Sequence, residues 1–320
     1  MKAITIDSER NFVFRELPDP EPGPGRVVID IHAAGVNRAD LLQRAGKYPP
    51  PPGWPDWPGL ECAGVIARTC PGSRWNVGDK VCALLGGGGY AEKAAVPEDM
   101  VMPVPAGLSL VEAASLPEVY ATAFLNLVLI GGLKAGQTAF VQAGASGLGI
   151  AAIGLAKMLG ARVATTVGSE EKAAAVRALG ADTVILRRTE DVAAKLTENP
   201  PDVALDCAGG ALLGACLNAM KPGGTWILVS TLGGETAEIP LRVVLKKHLR
   251  LVGSTLRSRS DAEKGTILKR LAAEIWPGFA DGRLAPHIDQ VFPAADVAQA
   301  HAVLEHQRNI GKVVLQFRGE

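Results

Sequence analysis

Between Gly144 and Gly149 the chain reads Gly-Ala-Ser-Gly-Leu-Gly, a stretch whose backbone can turn tightly and come close to a bound phosphate. Gly144, Gly147 and Gly149 put no side chain in the way, and Leu148 lies inside the same turn. A helix starting here would aim unsatisfied N–H groups and the positive end of its dipole at an anion. The pattern departs from Gly-x-Gly-x-x-Gly because Ser146 stands where the second glycine belongs. A glycine turn alone is weak evidence, so its surroundings matter. It follows the apolar run Thr138 to Ala143, precedes an Ala-rich helical stretch, and is succeeded by a second apolar run, Ala161 to Val167. That is the setting of a dinucleotide-binding βαβ unit.

The end of the second run bears on which dinucleotide. A site for NAD wants an acid there to accept the ribose hydroxyls. Instead Gly168 and Ser169 occupy the position, neither of which repels a phosphate. Lys172 lies one helical turn onward, and Arg187 and Arg188 close the following strand, so cations can gather about a 2′-phosphate. The reading favours NADP(H). A small backbone shift would let Glu170 serve as the ribose acid, which keeps NAD open.

A second stretch, "AGVNRADLLQRAGKYPPPPG" from Ala34 to Gly53, sets Asn37 and Asp40 beside a small apolar turn and Tyr48 ahead of four prolines. Such a proline run fixes an extended, solvated backbone and suits a rigid lip around a site. Metal chemistry has little to draw on. The five histidines (His32, His248, His287, His301 and His306) share no ligand spacing, and His301 and His306 are expected on a surface helix. The five cysteines form no Cys-x-x-Cys pair, which suggests free thiols in a reducing compartment and a cytoplasmic protein.

The elements that must position these residues fall into two textures. Residues 1–118 carry short β segments punctuated by Gly and Pro, such as "RVVIDIHAAG", "AGVIART" and "KVCALL", which suit an antiparallel or mixed β domain. From about residue 119 six apolar runs alternate with Ala-rich helical patterns, the reading of a parallel sheet covered on both faces. Six such strands fit an α/β doubly wound Rossmann domain. After residue 262 come a helix, a strand near "HIDQVF", a helix "AADVAQAHAVLEHQR" and a last strand "GKVVLQF", which by pattern alone could join either domain.

Composition sets outer limits. With 320 residues there is enough chain for two ordinary domains. Lys plus Arg equals Asp plus Glu at 33 each, so no net field gathers nucleic acid or an anionic membrane. The N-terminus alternates like a strand rather than a signal sequence, and the apolar run near Ala123 to Ile130 is well short of the roughly 20 residues a bilayer needs.

Taken together these residues resemble a known family. The motifs "AGVNRADLLQRAGKYPPPPG", "PGLECAGVI", "GDKVCAL", "LPEVYATAF", "AGASGLG", "KPGGTWILVSTLGG", "GSTLRSR" and "NIGKVVL" resemble the zinc-free quinone oxidoreductases of the medium-chain dehydrogenase/reductase superfamily, in its tumour-suppressor-inducible and zeta-crystallin-like branch. The resemblance implies a GroES-like β-rich catalytic domain, 1–118 and 263–320, and a Rossmann domain, 119–262, with the cofactor in the cleft between them. Zinc enzymes of the superfamily carry Cys where Asn37 stands and His where Leu60 stands, and neither replacement can ligate zinc. Glu61 alone survives from that motif, with a structural polar role expected, and "LLGGGGYAEKAAVP" takes the place of the four-cysteine lobe.

By the same resemblance Asn37 and Tyr48 face the nicotinamide, Tyr48 offers a hydroxyl to substrate oxygen, and Ser146 adds a hydroxyl from below. Thr122 contacts the nicotinamide ribose or amide, Ser230 and Leu232 lie at the cofactor crevice, Leu256 offers main-chain groups to the carboxamide, and Asn309 and Lys312 close over the cofactor. The expected activity is NADPH-dependent, metal-free reduction of a quinone, an acceptor electrophilic enough to take hydride without a Lewis acid. An enoyl or alkenal reductase is the alternative. A third reading, an NADPH-binding protein with an RNA-binding or structural role, is disfavoured by the balanced charge. The resemblance also implies a homodimer through the edge of the Rossmann sheet, near "ETAEIPLRVVL".

Overall fold

The computed structural model describes residues 1–319. They form two compact units, Met1–Ala121 with Arg257 onward, and Thr122–Leu256. The boundaries thus fall three residues after 118 and six before 262. Side-chain packing places them there. Tyr120 meets Trp276 and Phe279 edge to face, at ring-centroid distances of 6.4 and 5.1 Å, and Arg257 is bonded to Gln43, Tyr48 and Gly86.

In the first unit a seven-stranded sheet runs Ile288–Pro293, Lys312–Gln316, Arg26–Val36, Glu61–Arg68, Lys80–Leu84, Val101–Pro103, with Lys93–Pro97 paired to another part of Arg26–Val36. The strand Arg26–Val36 is its spine. Eight of its eleven residues are buried, as β-branched and small apolar side chains on a doubly covered strand should be. It reaches three neighbours by shifting register between Val28 and Ile29 and again between Ile31 and Ala33. Register then decides what gathers at one end: Val36 opposes Val313 and Ala34 opposes Cys62, so Asn37, Glu61 and Lys312 converge there.

The second unit is a six-stranded sheet, every pair parallel, in the order Thr183–Leu186, Arg162–Val167, Thr138–Val141, Val203–Asp206, Thr225–Leu228, Arg250–Gly253. Crossover helices separate the strands in sequence, giving the doubly wound order. Thr138–Val141 and Val203–Asp206 are buried throughout, which explains their unbroken apolar reading. Phe140 packs against Trp226, and the Trp226 indole N–H donates to Asp206 Oδ2 at 2.8 Å. The other oxygen of this fully buried carboxylate accepts from the N–H groups of Ala208 and Gly209, at 2.7 and 2.8 Å. Three donors thus give both oxygens of the buried carboxylate hydrogen-bond partners. Arg250–Gly253 is an open edge, and Leu251, Leu241 and Leu245 beside it are exposed.

Among the described residues no helix is long and apolar enough to cross a membrane.

Candidate active site

In the second unit the predicted cofactor residues collect at the C-terminal ends of the parallel strands. Thr138–Val141 leads into the glycine turn, Arg162–Val167 into Gly168 and Ser169, Thr183–Leu186 into Arg187, Thr225–Leu228 into Ser230 and Leu232, and Arg250–Gly253 toward Leu256. Parallel direction alone puts these five segments along one edge, where ligands of such sheets bind.

The glycine turn is set by steric necessity. A Cβ on Gly144 would collide with Thr165 Oγ1, which is itself tied to the Val141 carbonyl at 2.6 Å, and one on Gly149 would collide with the Ala143 carbonyl. Ala143 holds a left-handed φ of 54°, supported by its N–H donating to Thr166 Oγ1 at 3.1 Å. Ser146 caps the helix Gly147–Met158, its Oγ accepting from Gly149 N–H at 3.0 Å. Gly147 and Leu148 supply the helix's first turn, where backbone N–H groups lack helical partners. The missing second glycine is therefore a helix cap.

At the next strand end Gly168, Ser169 and Arg187 come together. An ideal Cβ on Gly168 would lie 3.0 Å from Arg187 Nη1, so the exposed guanidinium rests over bare backbone. Ser169 caps the helix Glu170–Ala178 by accepting from Lys172 N–H, which fixes Lys172 in the first turn. Glu170 is exposed and pairs loosely with Arg177 at 3.7 Å. These residues fit a nicotinamide dinucleotide: bare backbone and first-turn N–H groups suit an anionic pyrophosphate, and the Arg187 guanidinium lies beside Gly168 at the neighbouring strand end.

Further along, the segment holding Ser230 and Leu232 is laid against the loop after Val203–Asp206 by the Gly233 N–H bond to the Ala208 carbonyl, 2.7 Å. Leu256 is buried, and Leu232 is exposed. Thr122 is buried, and its carbonyl accepts from Asn126 Nδ2 at 2.7 Å. It precedes a wide helical segment, Phe124–Ile130, closed by the Gly131 N–H bond to the Asn126 carbonyl, a widening that no local residue type announced.

The first unit holds a buried polar cluster at the sheet end described above. Lys312 Nζ donates to Glu61 Oε1 at 2.6 Å, Asn37 Oδ1 at 2.7 Å and the Val36 carbonyl at 3.1 Å. Glu61, fully buried, also accepts from Asn37 Nδ2 at 2.8 Å and from Glu118 N–H at 2.9 Å. Asn37 thus commits its carbonyl to Lys312 and an amide hydrogen to Glu61. The structural role expected for Glu61 is this ion pair. Lys312, expected at the cofactor, instead satisfies all three ammonium donors inside the first unit, and Asn309 turns its amide back to the Gly311 carbonyl. These residues do not fit a metal ion. An amide, Leu60 and a carboxylate already neutralised by an ammonium offer no adequate donor set, and among the described residues no other cluster of His, Cys, Asp or Glu does.

Behind the cluster, Asp40 accepts from the N–H groups of Asn37 and Gly59, at 2.8 and 2.9 Å. Burial pushes its carboxyl up to about 6, while those bonds and Lys312 pull the other way. Tyr90, wholly buried, shares a 3.0 Å hydrogen bond with His301 Nε2. This corrects the expectation of a surface His301: Val297, Ala300, His301 and Leu304 form the inward face of the helix Val297–Glu305, and only His306 is exposed. Burial, with Arg44 nearby, pushes the imidazole down to about 3.

Tyr48 is half-buried at the start of the proline lip, and its partner was not foreseen. Arg257 lies 4.7 Å from the ring centroid, donates to the Tyr48 carbonyl at 3.1 Å, to Gln43 Oε1 at 2.6 Å, and twice to the Gly86 carbonyl. Burial raises the phenol's pKa, the Arg257 cation lowers it and Glu118 raises it. Arg257 stood inside "GSTLRSR", but nothing local marks an arginine as buried, and its partners are 171 to 214 residues away.

Comparison with known proteins follows the same division. Residues 23–106 match the alcohol dehydrogenase GroES-like domain model, and residues 147–272 match the zinc-binding dehydrogenase model. A quinone oxidoreductase from Sus scrofa is 32% identical over 303 residues, covering 92% of this chain and 90% of its own. Among solved structures, an NAD-dependent alcohol dehydrogenase aligns with a TM-score of 0.83 at 29% identity, covering 99% of this chain and 100% of its own. A mycobacterial protein complexed with NADPH aligns with a TM-score of 0.85 at 27% identity, covering 99% of each chain.

Proposed function

Because the chain belongs to the quinone oxidoreductases of the medium-chain dehydrogenase/reductase superfamily, and is an oxidoreductase enzyme, we propose that it reduces quinones with NADPH and without a metal ion. One observation carries the reading: the Glu61 carboxylate and the Asn37 amide are taken by the Lys312 ammonium. No side chain remains there to hold a Lewis acid, so the acceptor must be electrophilic on its own account. Quinones meet that demand.

A dinucleotide held by its pyrophosphate at the glycine turn would supply the hydride from its dihydronicotinamide. The first-turn N–H groups of Gly147–Met158 would hold the pyrophosphate, and Arg187 over Gly168 would support a 2′-phosphate. Tyr48 would donate a hydrogen bond from its phenol O–H to the acceptor oxygen as negative charge builds there, a neutral donor that stays protonated. The rigid prolines Pro49 to Pro52 keep that side chain at the mouth of the site.

Steady-state assays with small ortho- and para-quinones test this. Turnover with NADPH is expected, and Arg187→Glu should raise the KM for NADPH by roughly 10-fold or more while leaving NADH unpenalised. Reduction of alkenals but no quinone in the panel would overturn the substrate class, and an Arg187→Glu enzyme with unchanged NADPH kinetics would overturn the phosphate assignment.

The open edge Arg250–Gly253, with Leu241, Leu245 and Leu251 exposed, supports a homodimer through the second unit, since an unpaired strand edge with apolar neighbours is otherwise a liability. Light scattering should give twice the chain mass, falling to a monomer in Leu251→Lys. A monomeric unaltered protein would reject it.

A further inference from the structure

Arg257 carries an unusual load for one side chain. It is 8% exposed, yet no carboxylate is bonded to it. Its guanidinium is instead satisfied by two backbone carbonyls and the Gln43 amide, and its face lies over an aromatic ring. A buried arginine without a counter-ion is costly, because the field of its charge is not cancelled by a neighbour. Structural packing alone would be served more cheaply by an apolar residue. Here the charge lies over the Tyr48 ring with no directly bonded carboxylate, and the same guanidinium ties Tyr48 to the Gly86 turn and to Gln43 of the helix Arg38–Arg44.

We propose that Arg257 is a positioning residue for the reaction and acts through Tyr48, holding the phenol ring by stacking and the Tyr48 carbonyl by a hydrogen bond, and placing a cation over the ring whose hydroxyl donates to the acceptor. The proposal rests on the reading of Tyr48 as that donor. A cation beside the ring favours negative charge on the phenol oxygen, which makes the O–H a stronger hydrogen-bond donor. Glu118 faces the phenol with the opposite influence, and Asp40 lies within the field of Arg257 itself, so the net effect belongs to these three groups together.

The test has a part that needs no substrate. The chain has three tyrosines, and Tyr90 and Tyr120 are buried with their phenols pushed well above the ordinary range, so the first phenolate to form on raising pH belongs to Tyr48. Ultraviolet difference titration should show this step moving up by about one pH unit in Arg257→Met, staying near its place in Arg257→Lys, and vanishing in Tyr48→Phe. A step that does not move, or moves down, in Arg257→Met overturns the proposal even if quinones prove not to be the substrate.

Kinetics supply the second part. Arg257→Met should lower kcat roughly 10- to 100-fold with a much smaller change in KM, and Arg257→Lys should recover part of the loss. In a Tyr48→Phe background the Arg257→Met loss should largely disappear, because both changes remove one interaction. Losses that multiply in the double variant would show that Arg257 acts independently of Tyr48. Absence of quinone turnover by the unaltered enzyme would count against the proposed function instead, leaving the phenol titration to decide the Arg257 coupling.

Discussion

Replacing Lys312 by methionine should destabilise the first unit by about 3–5 kcal/mol, the cost of removing one partner from a buried ion pair. Methionine is close in length, so little packing is lost. What is lost is charge. Glu61 has no exposed surface, and its Oε1 would keep only the Asn37 amide. The Glu118 N–H on Oε2 and the amide are both neutral donors, and two neutral hydrogen bonds do not compensate a carboxylate taken out of water. Against total stabilities of about 5–15 kcal/mol this is a large fraction.

Urea unfolding measures the effect, and a compensating variant separates charge from shape. Lys312→Met with Glu61→Gln removes both charges, and most of the loss should return, since paired removal of a buried ion pair is often close to neutral. A single-variant loss below about 1 kcal/mol would mean that water or backbone motion solvates Glu61, and the cluster would then be an unsuitable anchor for Asn37.

How far the sequence reveals such features depends on how local their causes are. The glycine turn was legible because its requirement is local: strand, bare backbone and helix follow one another within a few residues, and Gly168 and Ser169 are read as the absence of an acid at one position. The parallel sheet was legible because burial on both faces leaves uninterrupted apolar strands such as Thr138–Val141. His301 shows a signal present but unread. Val297, Ala300 and Leu304 lie three and four residues from one another around it, a spacing that marks the buried face of a helix whatever the polarity of the residue between.

Arg257 and Lys312 show the opposite case. Each is a cation in an unexceptional setting, and each is buried by partners more than 200 residues earlier in the chain, Tyr48 and Gln43 for one, Asn37 and Glu61 for the other. Register along Arg26–Val36 and the return of the chain into the first unit bring them together, and neither is encoded by residue type or spacing. For Lys312, family resemblance implied a contact to the cofactor, whereas its ammonium is engaged by Val36, Asn37 and Glu61. The bare backbone and helix dipole of the glycine turn are by contrast read within six residues, whereas the Ser146 cap and the Thr165 contact behind Gly144 emerge only in the structure.

That locality makes Gly149→Ala the sharpest test of the cofactor site. The added methyl falls inside the radius of the Ala143 carbonyl and close to the Gly144 backbone, so main chain rather than a flexible side chain must move. Ala143 cannot easily yield, being already in a left-handed conformation held by Thr166, and Gly144 is pressed against Thr165, which is buried and hydrogen-bonded. The turn therefore widens on its ligand side, and the Gly149 N–H that Ser146 Oγ caps is drawn away from it. Hydrogen bonds to a charged group are worth about 1.5–3 kcal/mol, so titration of NADPH fluorescence should show affinity falling by roughly 10- to 100-fold. Secondary structure by circular dichroism should remain, because the helix Gly147–Met158 gains an alanine in its first turn, a residue of higher helix propensity than glycine. Ser146→Ala, which loses only the cap, should weaken binding far less. If Gly149→Ala bound NADPH as tightly as the unaltered chain, the pyrophosphate would have to sit elsewhere than at this turn.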